Sequence, residues 1–195
     1  MKSIAVTALV LSVLLLSGCS ILFNPARKPH AVSFTQGLSI PKSKEGNGIS
    51  VGLGVIDDRS SPILGLRGQI FKGAVITSPT ARRYILKEIV KGLEARGFIV
   101  VAHDQQADVY LLVSLRVLTW EETVCGIWKC EYVNSSIKVE GEKSGQSYLE
   151  LYPGDYQDKG PTAPGSRINH GVTASMSNSL RKMLMDRSLL DFLTS

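Results

Sequence analysis

Apolar and polar residues alternate in several stretches of the chain, and this alternation predicts β-strands that bury one face. The last three stretches follow one another in succession, which predicts an antiparallel meander. Residues 109–120 are apolar on both faces, so this strand is expected at the centre of the sheet or beneath helices. The predicted strands are residues 31–34, 49–55, 69–71, 75–77, 98–101, 109–120, 131–140 and 146–152.

Two other segments repeat their apolar residues every three to four positions, as a helix with one buried face does. The first has Ser78 as an expected N-cap, Pro79 in the first turn and Gly97 as the stop, and it predicts a helix over about 78–96. The second predicts a helix over about 170–186.

The stretch between the last strand and the second helix, residues 153–166, is rich in proline and glycine and predicts a long loop. Taken in order, the elements predict an α+β fold: a mostly antiparallel sheet of about five to six strands covered by two helices. The length of the chain suits one domain, which we place at residues 31–195.

The first 18 residues have the organisation of a secretory signal peptide, with Lys2 followed by an apolar run from Ile4 to Leu16. That run has 13 residues, whereas a membrane-spanning helix needs about 20. The sequence Leu16-Ser17-Gly18-Cys19 resembles the lipobox of bacterial lipoproteins, which implies cleavage before Cys19 and acylation of its thiol and amine. The alternative is an ordinary secretory signal that contains a cysteine.

Acyl chains on Cys19 would anchor the protein to a membrane, and we expect no other cofactor and no metal. In enteric bacteria an aspartate after the lipidated cysteine marks retention in the inner membrane. This chain has Ser20 there, so the resemblance implies an outer-membrane protein that faces the periplasm. Residues 19–30 show neither the alternation of a strand nor the repeat of a helix, and they are interpreted as the lipidated N-terminus and a tether.

The net charge of +5 is a mild excess without a basic stripe, so nucleic acid is not an expected partner. Cys125 and Cys130 are the two cysteines besides Cys19. An oxidising periplasm favours a disulfide between them, and their spacing lacks the second ligand pair that a zinc site needs. They flank residues 126–129, which we interpret as the four-residue loop of a hairpin.

Ile127 and Trp128 place two large apolar side chains at the tip of this predicted hairpin, and Trp120 lies along one of its strands. Aromatic side chains on a rigid turn are effective interface anchors, because they bury a large area at a low cost in entropy. These three residues are therefore candidate contacts for a partner. In the alternative, Trp128 folds back onto the sheet.

Asp57, Asp58 and Arg59 follow a predicted strand and are candidate ligands for a cation or a charged small molecule. The alternative is a turn in which an aspartate caps backbone amides and the arginine pairs locally. The three histidines are too scattered in the sequence to form a metal set, and no enzymatic nucleophile or nucleotide motif is present. We therefore predict that the protein is not an enzyme.

Several segments together resemble the YajG-type lipoproteins of Gram-negative bacteria, which are an uncharacterised family. The resemblance covers nearly the whole chain after the signal and implies the location and the fold, but no mechanism. The cysteine hairpin and the stretch at 153–166 depart from the family pattern. The similar segments are residues 51–59, 64–65, 84–98, 107–108 and 188–193.

These features predict an outer-membrane-anchored lipoprotein whose non-enzymatic periplasmic domain binds another envelope component, a protein or some other constituent. The membrane itself would be contacted through the lipid anchor. The alternative is a lipoprotein that binds a small ligand or a saccharide on the sheet face near Asp57, Arg59 and Tyr148.

Overall fold

The structure is a computed structural model, and it describes most of the chain after the predicted tether. Cys19, the signal segment and the expected strand at 69–71 lie outside the described residues. The described residues are 29–35, 37–66, 75–161 and 165–195.

The described ranges form two sheets and three helices, which confirms the α+β prediction. The strands are β1 (His30–Ala31), β2 (Ser50–Asp57), β3 (Ile63–Leu66), β4 (Val75–Thr77), β5 (Ile99–Ala102), β6 (Val109–Cys125), β7 (Trp128–Lys143) and β8 (Gln146–Gly160). The helices are α1 (Ala81–Ala95), α2 (Gly165–Met185) and α3 (Arg187–Thr194). The large sheet has the order β5-β2-β6-β7-β8, and the small sheet has the order β1-β4-β3.

The large sheet combines parallel and antiparallel pairing. Strand β2 is parallel to both β5 and β6. Helix α1 lies between β2 and β5 in the chain and returns the chain to the end of the sheet at which β2 begins, so β5 runs in the same direction as β2. Strands β6, β7 and β8 form the predicted antiparallel meander. The central position of the strand that begins at Val109 is also confirmed, since β6 pairs on both sides.

The small sheet packs on the half of β6 that extends beyond β2. Gly65 of β3 lies directly against this strand, and a Cβ at this position would be 2.0 Å from the carbonyl oxygen of Trp120. A larger residue therefore cannot replace Gly65 without moving one sheet away from the other. The sequence pattern predicts β4 but not β3.

Helices α1 and α2 pack on the sheet, in the two regions where helices were predicted. Helix α1 starts later than expected, because Ser78 is buried and Thr80 occupies the N-cap position without a side-chain hydrogen bond. Gly97 has a φ of 84°, which confirms it as the stop of this helix. Within the described ranges, no helix is both long and apolar enough to cross a membrane.

The long loop predicted at residues 153–166 is wrong, because β8 continues to Gly160 and α2 begins at Gly165. Glycine is needed inside β8, since a Cβ on Gly154 would lie 2.2 Å from the carbonyl oxygen of Ser175 in α2. Proline is tolerated at Pro153 because β8 is an edge strand. Pro153 and Gly154 therefore occur here because β8 is an edge strand that a helix approaches closely, and not because the chain forms a loop.

Side chains of α2 also cover part of the edge of β8. The side-chain amide of Asn178 donates to the carbonyl oxygen of Asp155 at 2.9 Å, and Lys182 Nζ donates to that of Pro153 at 2.8 Å. Proline has no backbone N–H to offer. This section of the edge therefore has two carbonyls already occupied and one donor missing.

Candidate functional site

The cysteine hairpin ends in a tighter turn than the sequence suggests. Cys125 is in register with Trp128, so only Gly126 and Ile127 form the turn, and the predicted four-residue loop is wrong. Gly126 has a φ of 69°, the conformation that a type II′ turn requires at its first central position. Trp128 is consequently the first residue of β7 rather than a loop residue.

The disulfide between Cys125 and Cys130 is present, as predicted, with a Cα–Cα distance of 5.8 Å. The two cysteines are not directly opposite each other, since Cys130 is in register with Thr123. The bridge therefore runs diagonally from the turn to Cys130, which is buried. Because so short a ring restricts few residues, its main effect is to fix the local shape of the hairpin end.

Three large apolar side chains are exposed at this end, and we call them the apolar tip: Val124, Ile127 and Trp128. Their exposed fractions are 62%, 91% and 45%. The pairing places Ile127 at the apex, while Val124 and Trp128 lie on opposite faces of the hairpin. Val124 was not a sequence candidate, because Glu121, Glu122 and Thr123 interrupt the apolar alternation before it.

Trp120 is not a contact for a partner, which corrects the sequence expectation. It is only 2% exposed, because the small sheet covers this part of β6. Its indole Nε1 donates to Glu131 Oε1 at 2.6 Å. Trp120 therefore belongs to the core that holds the hairpin in place, and Trp128 is the tryptophan that faces solvent.

A network of ion pairs joins the strands near the hairpin turn to α2. Arg167 Nε lies 2.8 Å from Asp158 Oδ2 and 3.5 Å from Glu131 Oε2. Burial raises the pKa of Glu131, and the hydrogen bond from Trp120 and the charge of Arg167 offset part of this effect. The network could not be predicted from the sequence, because its members come from β7, β8 and α2.

The structure separates Asp57, Asp58 and Arg59 into two ion pairs. Arg59 Nη2 lies 2.6 Å from Asp57 Oδ2, and this hydrogen-bonded pair lowers the pKa of Asp57 against the effect of burial. Asp58 instead pairs with Arg116 of β6. The Arg59–Asp57 pair is the local pairing that the sequence analysis gave as the alternative. With Asp58 paired to Arg116, all three side chains contact other side chains of the protein.

Tyr148, the third residue of the small-ligand or saccharide alternative, lies far from Asp57. Asp57 is in register with Tyr152 through β6 and β7, and Tyr148 is four residues before Tyr152 in β8. The separation from Asp57 is thus about 14 Å across the sheet and about 13 Å along it. Tyr148 OH donates to Asp186 at 2.9 Å, on the face that the helices cover. These residues do not form one site.

The histidines are also apart, as the sequence indicates. His30 Nε2 is 3.1 Å from Asn169 Oδ1, His103 contacts the ring of Tyr110, and His170 contacts that of Tyr156. Across the described ranges, no group of three or more His, Cys, Asp or Glu side chains is placed to hold a metal ion.

No protein-family model matches the sequence, and no curated protein matches it. Solved structures do resemble the fold. A Xanthomonas campestris protein of the family DUF330 has a TM-score of 0.50 at 13% identity, covering 82% of this chain and 93% of its own.

Two further structures resemble the chain more weakly. A Helicobacter pylori protein described as a neuraminyllactose-binding hemagglutinin homolog has a TM-score of 0.49 at 9% identity, covering 84% of this chain and 96% of its own. A Caulobacter crescentus protein described as a lipoprotein has a TM-score of 0.37 at 12% identity, covering 59% and 84%. At such low identity the comparisons establish a shared α+β fold with the Xanthomonas protein and nothing about a shared ligand.

Proposed function

We propose that the protein is an outer-membrane lipoprotein whose non-enzymatic periplasmic domain binds another envelope component through the apolar tip. The lipobox-like sequence before Cys19 supports the anchor, and Ser20 supports the outer membrane as the destination. The resemblance to YajG-type lipoproteins agrees with both. The disulfide agrees with an oxidising compartment.

The observation that carries the binding role is the exposure of the apolar tip on a rigid support. A partner that covers the apolar tip removes the exposed surface of Val124, Ile127 and Trp128 from water, which favours binding. The tight turn and the disulfide hold these side chains in place before binding, so little conformational entropy remains to be lost. Ile127 is 91% exposed, so almost all of its side chain is free for a partner to cover.

A photo-crosslinking experiment in intact cells tests this role. With p-benzoylphenylalanine in place of Ile127, we expect irradiation to join the tip to an envelope component. Trp128→Ala should lower the adduct yield several-fold, because the aromatic anchor is removed. Leu149→Ala is the matched control, since Leu149 is a similarly exposed apolar residue at the other end of β8.

The proposal fails if position 127 yields no adduct above the unirradiated sample. It also fails if Trp128→Ala and Leu149→Ala give the same yield as the parent protein, since the tip would then not be the contact.

A further inference from the structure

The point at which the tether enters the domain lies beside the start of α2. His30 Nε2 is 3.1 Å from the side chain of Asn169, and a Cβ on Gly165 would lie 2.8 Å from the His30 ring. The first residues of the described domain are therefore packed against the first turn of this helix.

The start of α2 is in turn at the hairpin end of the sheet. A Cβ on Gly160 would lie 2.6 Å from Arg167 Nη1, so this part of the helix covers the end of β8. Gly160 is in register with Lys129, the residue next to Trp128. The entry of the tether and the apolar tip thus lie at the same end of the molecule.

The tether is short compared with the domain. Residues 20–29 separate Cys19 from His30. Ten residues reach at most about 35 Å when fully extended, and a flexible chain of that length spans about 17 Å on average. A membrane that holds Cys19 therefore holds the hairpin end of the domain close to its surface.

The charged residues nearest the turn are basic, and the acidic residues Glu131 and Asp158, one pair further along the strands, are ion-paired with Arg167. Lys129 follows Trp128, and Lys159 is exposed on the neighbouring strand in register with Cys130. Tryptophan favours the boundary between lipid headgroups and acyl chains, and basic residues near that boundary attract anionic headgroups.

We infer that the apolar tip inserts into the lipid interface of the same membrane that carries the acyl anchor. The inference rests on the proposed function and names the envelope component that the tip contacts. The tip then provides a second attachment, which fixes the orientation of the domain relative to the membrane. The end with Tyr148 and Asp186 would point away from the bilayer, because β8 runs about 3.3 Å per residue from there to the tip end.

Quenching by brominated lipids tests the insertion. The lipidated full-length mature protein is reconstituted in vesicles of phosphatidylethanolamine and phosphatidylglycerol, with and without bromine on the acyl chains. The chain has two tryptophans, and the Trp128→Phe variant reports the buried Trp120 alone. We expect bromine to quench the larger part of the emission that Trp128 contributes and to leave the Trp128→Phe variant almost unchanged.

A second variant controls for mere proximity to the vesicle. Leu149→Trp, made in the Trp128→Phe background, puts an exposed tryptophan on β8 far from the tip, and bromine should not quench it. Equal quenching of the parent protein and the Trp128→Phe variant would overturn the inference, and so would strong quenching at position 149.

Crosslinking and quenching together distinguish a failure of this inference from a failure of the proposed function. A protein adduct at position 127 without quenching of Trp128 overturns the membrane contact and leaves the binding role standing. A lipid adduct together with quenching supports both. The absence of any adduct and of quenching removes both.

Discussion

Asp186 shows how much of the fold one side chain can hold together. Its carboxylate accepts hydrogen bonds from Tyr148 at 2.9 Å and from Tyr152 at 2.5 Å, which tie it to β8. It is also the N-cap of α3, because it accepts from the backbone N–H of Ser188 at 2.9 Å. Burial raises the pKa of Tyr148 to about 12, so its hydroxyl remains a donor across the physiological range.

The charge of Asp186 should make stability depend on pH. Burial alone would raise the pKa of this carboxyl, but the hydrogen bonds from Tyr152, Tyr148 and Ser188 lower it. A pKa lowered by folding contributes stability above the unfolded value of about 3.9, and this contribution is lost as the pH falls through the folded value. We expect Asp186→Asn to lower the free energy of unfolding at pH 7 by about 1 kcal/mol or less, because the carboxylate is partly solvated.

Urea unfolding of the parent protein and the variant at pH 7 and pH 2.5 measures this effect. The difference should be larger at pH 7 than at pH 2.5, because the carboxylate takes up a proton as the pH falls through its lowered folded pKa. Asp191→Asn is the control on the same helix, since Asp191 forms only an exposed pair with Arg187 and should change little. A difference of the same size at both pH values would contradict the assignment to charge.

At the scale of elements, the close approach of α2 to the sheet determines the packing. Ser135 Oγ of β7 donates to the carbonyl oxygen of Ser175 at 3.0 Å and lies 2.8 Å from Ser179 Oγ. Ser175 Oγ donates to the carbonyl oxygen of Gly154 at 3.2 Å. Three small side chains and a glycine thus replace the large apolar residues that normally separate a helix from a sheet.

Gly154→Ala tests this approach. The new methyl group would lie 2.2 Å from a backbone oxygen of α2, so either the helix or the strand must shift. We expect a loss of about 1–3 kcal/mol in the free energy of unfolding, the range of overpacked cores. Asp155→Ala, at the next and exposed position of β8, should cost much less in the same thermal or urea unfolding measurement. Equal effects of the two changes would show that the contact is loose.

The periodicity of apolar residues identified the helices and strands that bury one regular face. It predicted α1, β2 and the meander, because their apolar residues repeat along the chain. It missed the second half of β8, since Pro153 and Gly154 have the composition of a loop and their role depends on a helix that comes later in the chain. Only packing distances reveal that role.

The candidate site was predictable to a similar extent. The disulfide and the exposed Ile127 and Trp128 follow from a local hairpin pattern. The burial of Trp120 was not predictable, because the covering strand β3 is distant in the chain and has no clear alternation. The pairing of Asp58 with Arg116 likewise depends on a contact between strands that the sequence does not encode locally.

On the scale of the whole molecule, the proposed anchor and the apolar tip act at one end. A single acyl chain binds a membrane only reversibly, whereas two or more attachments hold firmly. The acyl chains on Cys19 are expected to provide the attachment, and the tip to provide the orientation. Loss of the tip should therefore change how the domain lies on the membrane more than whether it stays there.

Cell fractionation tests the anchor. Cys19→Ser should abolish incorporation of a labelled fatty acid and leave the protein outside the membrane fraction, because the buried acyl methylenes are lost. Ser20→Asp should keep the label and move the protein from the outer-membrane to the inner-membrane fraction of a sucrose gradient. Fatty-acid labelling that survives Cys19→Ser would contradict the anchor at this residue.

The covered edge of β8 has a consequence for proteins crowded on a membrane. The proposed tethering would confine the molecules to two dimensions, where neighbours meet edge to edge more often than in solution. An open strand edge would let one sheet extend into the next and build chains of copies. With Asn178 and Lys182 occupying two carbonyls and Pro153 lacking an N–H, such growth has no continuous template along this stretch. Dense packing on a membrane, if the domain is anchored as proposed, would thus not join copies along this stretch of β8.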